Sequence, residues 1–182
     1  MMNPNAQNSP RMTAEEYLQT TTETDAFTEL IDGEIVNLAS PSRQHQRISG
    51  RMFSAFDRFI LANGGSCEVY QTIDVQLNDK TVVSPDLCVI CSPEKRNLHG
   101  CTGAPDFICE IVSTNRIDDY VRKLYLYQIS GVREYWIVDP FHERTLVYFF
   151  EQGKFPEIYT FDAPIPIGIY GGALTVRIAD FL

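Results

Sequence analysis

Runs and alternations of apolar residues divide this chain into short strands and three helices. Leu87-Cys88-Val89-Ile90-Cys91, Phe107-Ile108-Cys109-Glu110-Ile111-Val112 and Glu134-Tyr135-Trp136-Ile137-Val138-Asp139 are near-continuous apolar runs bounded by turn residues, the pattern of strands buried on both faces. Weaker strand patterns lie at Cys67–Tyr70, Ile73–Leu77 and Val82–Val83, and in the tail at Thr145–Phe150, Phe155–Phe161 and Leu174–Ile178. Phe27 to Leu38 reads as a β-hairpin turning at Asp32-Gly33. Thr13-Ala14-Glu15-Glu16 is a capping box that predicts a helix from Ala14 to about Thr20. A longer helix runs from Arg43 to about Ala62, with Ile48, Met52, Phe56, Phe59 and Ile60 as its apolar stripe. A third spans Ile117 to Ile129 and ends at Ser130-Gly131. Residues 92–104 read as a polar loop. The order of elements predicts a mixed α/β fold with a central sheet, few helices and an antiparallel β extension at the C-terminus.

One charge breaks the most apolar of these strands. Burial disfavours an ionised carboxylate, so Glu110 needs a cation, donors or a raised pKa. The following helix carries Asp119, Lys123 and Tyr127 four residues apart, hence on one face. Asp106 points the same way as Glu110 but lies about 13 Å off along the strand, too far to share an ion. Asp86, after Ser84-Pro85, opens a different strand, and paired strands are only about 4.8 Å apart. Asp86 and Glu110 are therefore the expected ligands of one hard divalent cation, and Mg²⁺ suits one or two carboxylates with waters and a phosphate. His45, three residues before Ile48, falls at the inward side of its helix N-terminus and is a further candidate for substrate contact or catalysis.

Composition narrows the partners more than the class. With 182 residues, 44% hydrophobic and 21% charged, the chain suits one ordinary globular domain, residues 12–182, after a disordered polar segment 1–11. No apolar run approaches the length of a transmembrane helix, and the N-terminus lacks a signal-peptide core, so no membrane association and a cytoplasmic location are expected. Five cysteines do not suggest a disulfide framework, and buried reduced thiols are the expectation. Cys88-x-x-Cys91 opens a zinc reading with Cys101 and Cys109, but residues three apart in a strand face opposite sides. A net charge of −9 argues against binding long duplexes by charge alone. A nucleic-acid role then needs a metal, a local basic face or a partner.

Several stretches together resemble the Uma-type family of restriction-endonuclease-like bacterial proteins, within the PD-(D/E)XK nuclease superfamily. They are Phe27-Thr28-Glu29-Leu30-Ile31-Asp32-Gly33-Glu34-Ile35, Ser84-Pro85-Asp86, Pro105-Asp106-x-x-x-Glu110-Ile111-Val112-Ser113, Asp119-x-x-x-Lys123-x-x-x-Tyr127 and Gly131 to Pro140. The resemblance runs from about residue 12 to the C-terminus. It implies a restriction-endonuclease-like fold in which Pro85-Asp86 matches the PD element and Glu110 the second acid, both on Mg²⁺, with Mn²⁺ a possible substitute. Val112 stands where the superfamily lysine usually does, and Lys123 matches members whose lysine has moved to the next helix. Glu34 matches an additional acid from the first part of the fold. The family often has Ser-Pro-Ser where this chain has Ser113-Thr114-Asn115.

The implied activity is Mg²⁺-dependent hydrolysis of DNA phosphodiester bonds by a homodimer. Two rivals stay open: a catalytically silent dimeric module that keeps the fold, and a metal-dependent hydrolase of a non-DNA phosphodiester, which the acidic charge would suit.

Overall fold

The protein is described here by a computed structural model covering residues 11–21, 27–113 and 117–182. Its elements, in order, are α1 (Ala14–Thr21), β1 (Thr28–Ile31), β2 (Glu34–Asn37), α2 (Arg43–Asn63), β3 (Glu68–Tyr70), β4 (Asp74–Asn78), β5 (Thr81–Val83), β6 (Leu87–Ile90), β7 (Gly100–Thr102), β8 (Phe107–Ile111), α3 (Ile117–Ser130), β9 (Glu134–Asp139), β10 (Arg144–Phe149), β11 (Glu157–Thr160), β12 (Ile165–Pro166) and β13 (Thr175–Val176). Short 3₁₀ turns punctuate the last third.

Local chemistry sets several of the boundaries. At α1 the Thr13 hydroxyl accepts from Glu16 N at 3.2 Å while Glu16 Oε2 accepts from Thr13 N at 2.8 Å, a reciprocal capping box. Asp32 and Gly33 both have positive φ, 53° and 79°, which gives the β1–β2 hairpin a tight turn whose twist matches its strands. Ser42 caps α2 by accepting from His45 N, and Gly64 ends it in a positive-φ conformation.

Six strands form the main sheet in the order β11-β10-β9-β8-β6-β3; β8 and β9 are parallel and the other neighbours antiparallel. Alternation along its central strands feeds two cores. Phe107, Cys109 and Ile111 of β8, Leu87 and Val89 of β6, and Trp136 and Val138 of β9 face α2 and the C-terminal segment. Ile108, Cys88, Ile90, Tyr135 and Ile137 face the other way, onto Tyr127 of α3 and onto Val75, Val83 and Cys101. Those last residues belong to a second sheet of five strands, β2-β1-β5-β4-β7. Glu110 sits in β8 between Cys109 and Ile111, so it projects into the second core, on the α3 side.

The mixed α/β architecture with an antiparallel C-terminal addition is as expected: β10 and β11 extend the main sheet, and β12–β13 closes over its first core. The central sheet is accompanied by a second sheet of five strands, because β4 and β5 pair with the hairpin. Two expectations are corrected. The polar loop 92–104 contains β7, which pairs in parallel with β4. Three residues without alternation hid it, yet Cys101 is buried and Gly100 approaches so closely that a Cβ would fall 1.9 Å from Asp74 O. Finally, Cys67 and Cys91 are joined by a disulfide rather than reduced. The antiparallel register of β3 with β6, Glu68 opposite Ile90, brings them face to face. Cys88, Cys101 and Cys109 are buried free thiols, and with Cys91 in the disulfide the zinc reading has lost a ligand. The expected disorder of residues 1–11 falls, Arg11 apart, outside the described residues, as do Thr114 and Asn115.

Candidate active site

The β6–β8 ladder pairs Leu87 with Cys109, and continuing that register one residue sets Asp86 opposite Glu110. Asp86 is fixed from two sides. Its Oδ2 accepts from the backbone N of Ile111 at 2.7 Å and lies 2.8 Å from His45 Nε2, which must carry the proton because the carboxylate only accepts. The backbone of the same residue is held by α2, since Ser49 Oγ donates to Asp86 O at 3.2 Å and Gln71 Nε2 donates to Ser49 Oγ. Thr72, the next residue, adopts φ 48°, an unusual conformation for a β-branched side chain, and its N donates to Pro85 O.

Glu110 meets α3. Its Oε1 accepts from Lys123 Nζ at 3.0 Å and from the Tyr127 hydroxyl at 2.6 Å. All three side chains are buried, so the lysine stands in a medium where a lone ammonium would be costly. A second acid shares it. Glu29 of β1, with no exposed surface, accepts through Oε1 from Lys123 Nζ at 2.9 Å and from Ser84 N at 2.9 Å. Burial is the main reason that the Glu110 carboxyl is pushed up to about 7. Lys123 and the Tyr127 hydrogen bond pull it down, whereas Asp86 and Glu29 push it further up. Tyr127 itself is raised well above the usual phenol range by its burial and these acids, so it stays a donor.

The three carboxylates share one pattern. Asp86, Glu110 and Glu29 each accept both of their bonds through a single oxygen, leaving Asp86 Oδ1, Glu110 Oε2 and Glu29 Oε2 without a donor among the described residues. Glu29 Oε2 is fully enclosed, and so is the unpartnered His45 Nδ1. Buried acceptors without partners are rare and call for an occupant such as a cation or water. Carboxylate oxygens are the donor type that Mg²⁺ prefers. Among the described residues no group of three or more His, Cys, Asp or Glu side chains is placed to hold a metal ion.

Of the residues singled out in the sequence, the structure brings Asp86, Glu110, Lys123 and His45 into one connected group. It does not bring Glu34 there. Glu34 is exposed on β2, the edge strand of the five-stranded sheet, and pairs only with β1. The acid that the hairpin contributes is Glu29, because β1 is the inner strand, covered by β2 on one side and β5 on the other. Its signal was present in the sequence: a charge beside Leu30 and Ile31 in an apolar strand, the same signature as Glu110. Asp106 is an opening residue, as expected, accepting from Cys91 N and pairing with Arg133. The side chain of Asp119 lies outside the described residues.

In this fold Asp86 immediately precedes β6, Glu110 lies in β8, and Lys123 comes from the following helix. The chain belongs to the Uma2 family, whose profile, described as a putative restriction endonuclease, matches residues 14–166. Among curated proteins it is similar to the uncharacterized protein slr1290 of Synechocystis sp., 29% identical over 106 residues, which cover 57% of this chain. The match takes in 55% of that protein, so the chain spans about half the length of this relative. Among solved structures it is similar to a putative nuclease belonging to DUF820 from Anabaena variabilis, with a TM-score of 0.77 and 23% identity. That likeness covers 93% of this chain and 97% of the other, and it carries the fold. Among the described residues no helix is long and apolar enough to cross a membrane.

Proposed function

We propose that the protein is a Mg²⁺-dependent endonuclease that hydrolyses DNA phosphodiester bonds at the Asp86–Glu110–Lys123 group. The observation that carries this reading is a set of three carboxylates, each with one oxygen engaged and one without a donor among the described residues, two of which, Glu29 and Glu110, share the buried Lys123. Asp86 and Glu110 would hold the ion, and Glu29 would complete its surroundings through Oε2 or through a water. Mg²⁺, when bound, supplies Lewis acidity toward the phosphate and toward water.

The chain's own groups do the rest. Ile111 N and His45 fix the Asp86 carboxylate so that its open oxygen needs no reorganisation. Glu29 and Glu110 hold Lys123 Nζ at 2.9 and 3.0 Å, and the group they position would orient a water or steady charge growing on the phosphate. Tyr127 holds Glu110 from the far side and favours its ionised form.

Incubating supercoiled plasmid with the protein in Mg²⁺ or Mn²⁺ tests the reading. Nicking by wild type that disappears in EDTA and in both Asp86→Asn and Glu110→Gln supports it. Equal nicking by wild type and either variant would place the activity elsewhere. Hydrolysis of a small diester such as bis(p-nitrophenyl) phosphate without cleavage of DNA would favour a non-nucleic substrate instead.

A further inference from the structure

The charge objection raised by the sequence has a local answer on α2. Arg43, Arg47, Arg51, Ser54 and Arg58 fall within about 80° of the helix circumference at 3.6 residues per turn. All five are exposed. The stripe is about 22 Å long at 1.5 Å per residue. Arg177 meets it at a cleft of about 640 Å³ that Arg51, Ser54 and Arg58 line.

These arginines differ from four other described cations. Arg96, Lys123, Arg133 and Arg144 are held in ion pairs with Glu68, Glu110 and Glu29, Asp106 and Glu151, and Asp139. Arg43, Arg47 and Arg51 have no acidic partner among the described residues. Arg58 donates only to the Ser54 carbonyl at 3.1 Å. Two acids are near: Asp57 on the flank of α2, half-buried, and Asp180, which Arg177 approaches at 3.9 Å. In a chain of net charge −9, four arginines on one helical face with no acid among them is a marked local reversal.

We infer that this face of α2 binds the phosphate backbone of duplex DNA, an inference that rests on the nuclease reading above. Guanidinium forks match phosphate oxygens in pairs, and the stripe is built from arginine alone. Duplex DNA presents one charge per about 1.7 Å of axis, so a 22 Å stripe faces several phosphates at once. His45 and Ser49, whose side chains hold Asp86, lie in the first turns of the same helix but on its opposite, buried face.

The test is the salt dependence of binding to a fluorescent 30-base-pair duplex in EDTA, where no cleavage occurs, read by anisotropy. Four or five phosphate contacts predict a slope of log K against log [salt] of about −4 for wild type. In R43Q/R47Q/R51Q/R58Q the magnitude should drop by about 3 and low-salt affinity should fall at least about tenfold. The charge control K80Q/K154Q should keep the wild-type slope. A quadruple variant that binds and cleaves as wild type does overturns the stripe and leaves the nuclease reading standing. Wild type that neither binds nor cleaves DNA overturns both. Because the substituted residues are exposed, thermal melting of the quadruple variant should match wild type, which separates lost contacts from lost structure.

Discussion

Two buried glutamates on neighbouring strands of the main sheet meet opposite fates. Glu134, at the start of β9, accepts from Trp136 Nε1 at 2.7 Å through one oxygen and from Ile169 N at 2.8 Å through the other. Its partners are neutral, they sit on both oxygens, and one of them ties the C-terminal segment to the sheet. Glu110, one strand away on β8, has both donors on one oxygen, a cation shared with Glu29, and another acid across the ladder. Burial raises both carboxyls. On the proposed reading, what separates a structural acid from a chemical one is therefore not depth but whether its lone pairs are all engaged.

That contrast can be broken by substitution. The largest effect should come from Lys123→Ala, which strands two buried acids: cleavage should fall to background, and stability by about 3–5 kcal/mol, read from urea melts. Glu110→Gln should lose cleavage by at least about a hundredfold while retaining the fold, since metal sites depend on charge more than shape. Glu134→Gln should show the reverse. An amide nitrogen would face one of two donors, costing about 1–3 kcal/mol, with cleavage within about threefold of wild type. If Glu134→Gln instead abolished cleavage without loss of stability, the division between the two acids would be wrong.

The pH dependence sharpens the same contrast. The Glu110 carboxyl is raised from 4.5 to about 7. A group raised on folding stabilises the fold below its unfolded pKa, and that contribution is lost as pH rises through the folded value. Metal-free protein should therefore lose stability as pH rises from about 4.5 to above 7, followed by melting temperature in EDTA. Mg²⁺ binds the ionised form, so its affinity should strengthen with pH up to about 7 and level off above it, with proton release measurable by calorimetry in two buffers. Glu110→Gln should flatten both profiles. The smallest effect belongs to Tyr127→Phe. It removes a bond that favours ionisation, so the midpoint should move upward by a fraction of a pH unit to about one.

Much of this arrangement was legible in the chain. Glu110 announced itself as a charge in an apolar run, and Asp86 was placed beside it by strand spacing alone. Lys123 and Tyr127 followed from helical periodicity, though Tyr127 reads from sequence as a packing aromatic and is also a hydrogen-bond donor. Glu29 was passed over because choosing between it and Glu34 requires knowing which arm of the hairpin is inner, and that depends on β5 pairing from 50 residues away. Ser49 and Gln71 carry no local signal, since their role comes from the packing of α2 onto the Asp86 turn. The arginine stripe was hidden for a different reason: its members are three to seven residues apart, so no basic block shows until they are wound onto one face.

The staple between Cys67 and Cys91 also bears on how copies of this protein could associate. It clips the outermost strand, β3, to its neighbour, and an ion pair between Arg96 and Glu68 sits over the same margin. Charged, cross-linked borders are poor templates for adding a further strand. The opposite border, Glu157–Thr160, carries an outward isoleucine at 158 and no such clip. A main sheet continued across two molecules would thus be seamed along that side, away from the clipped border.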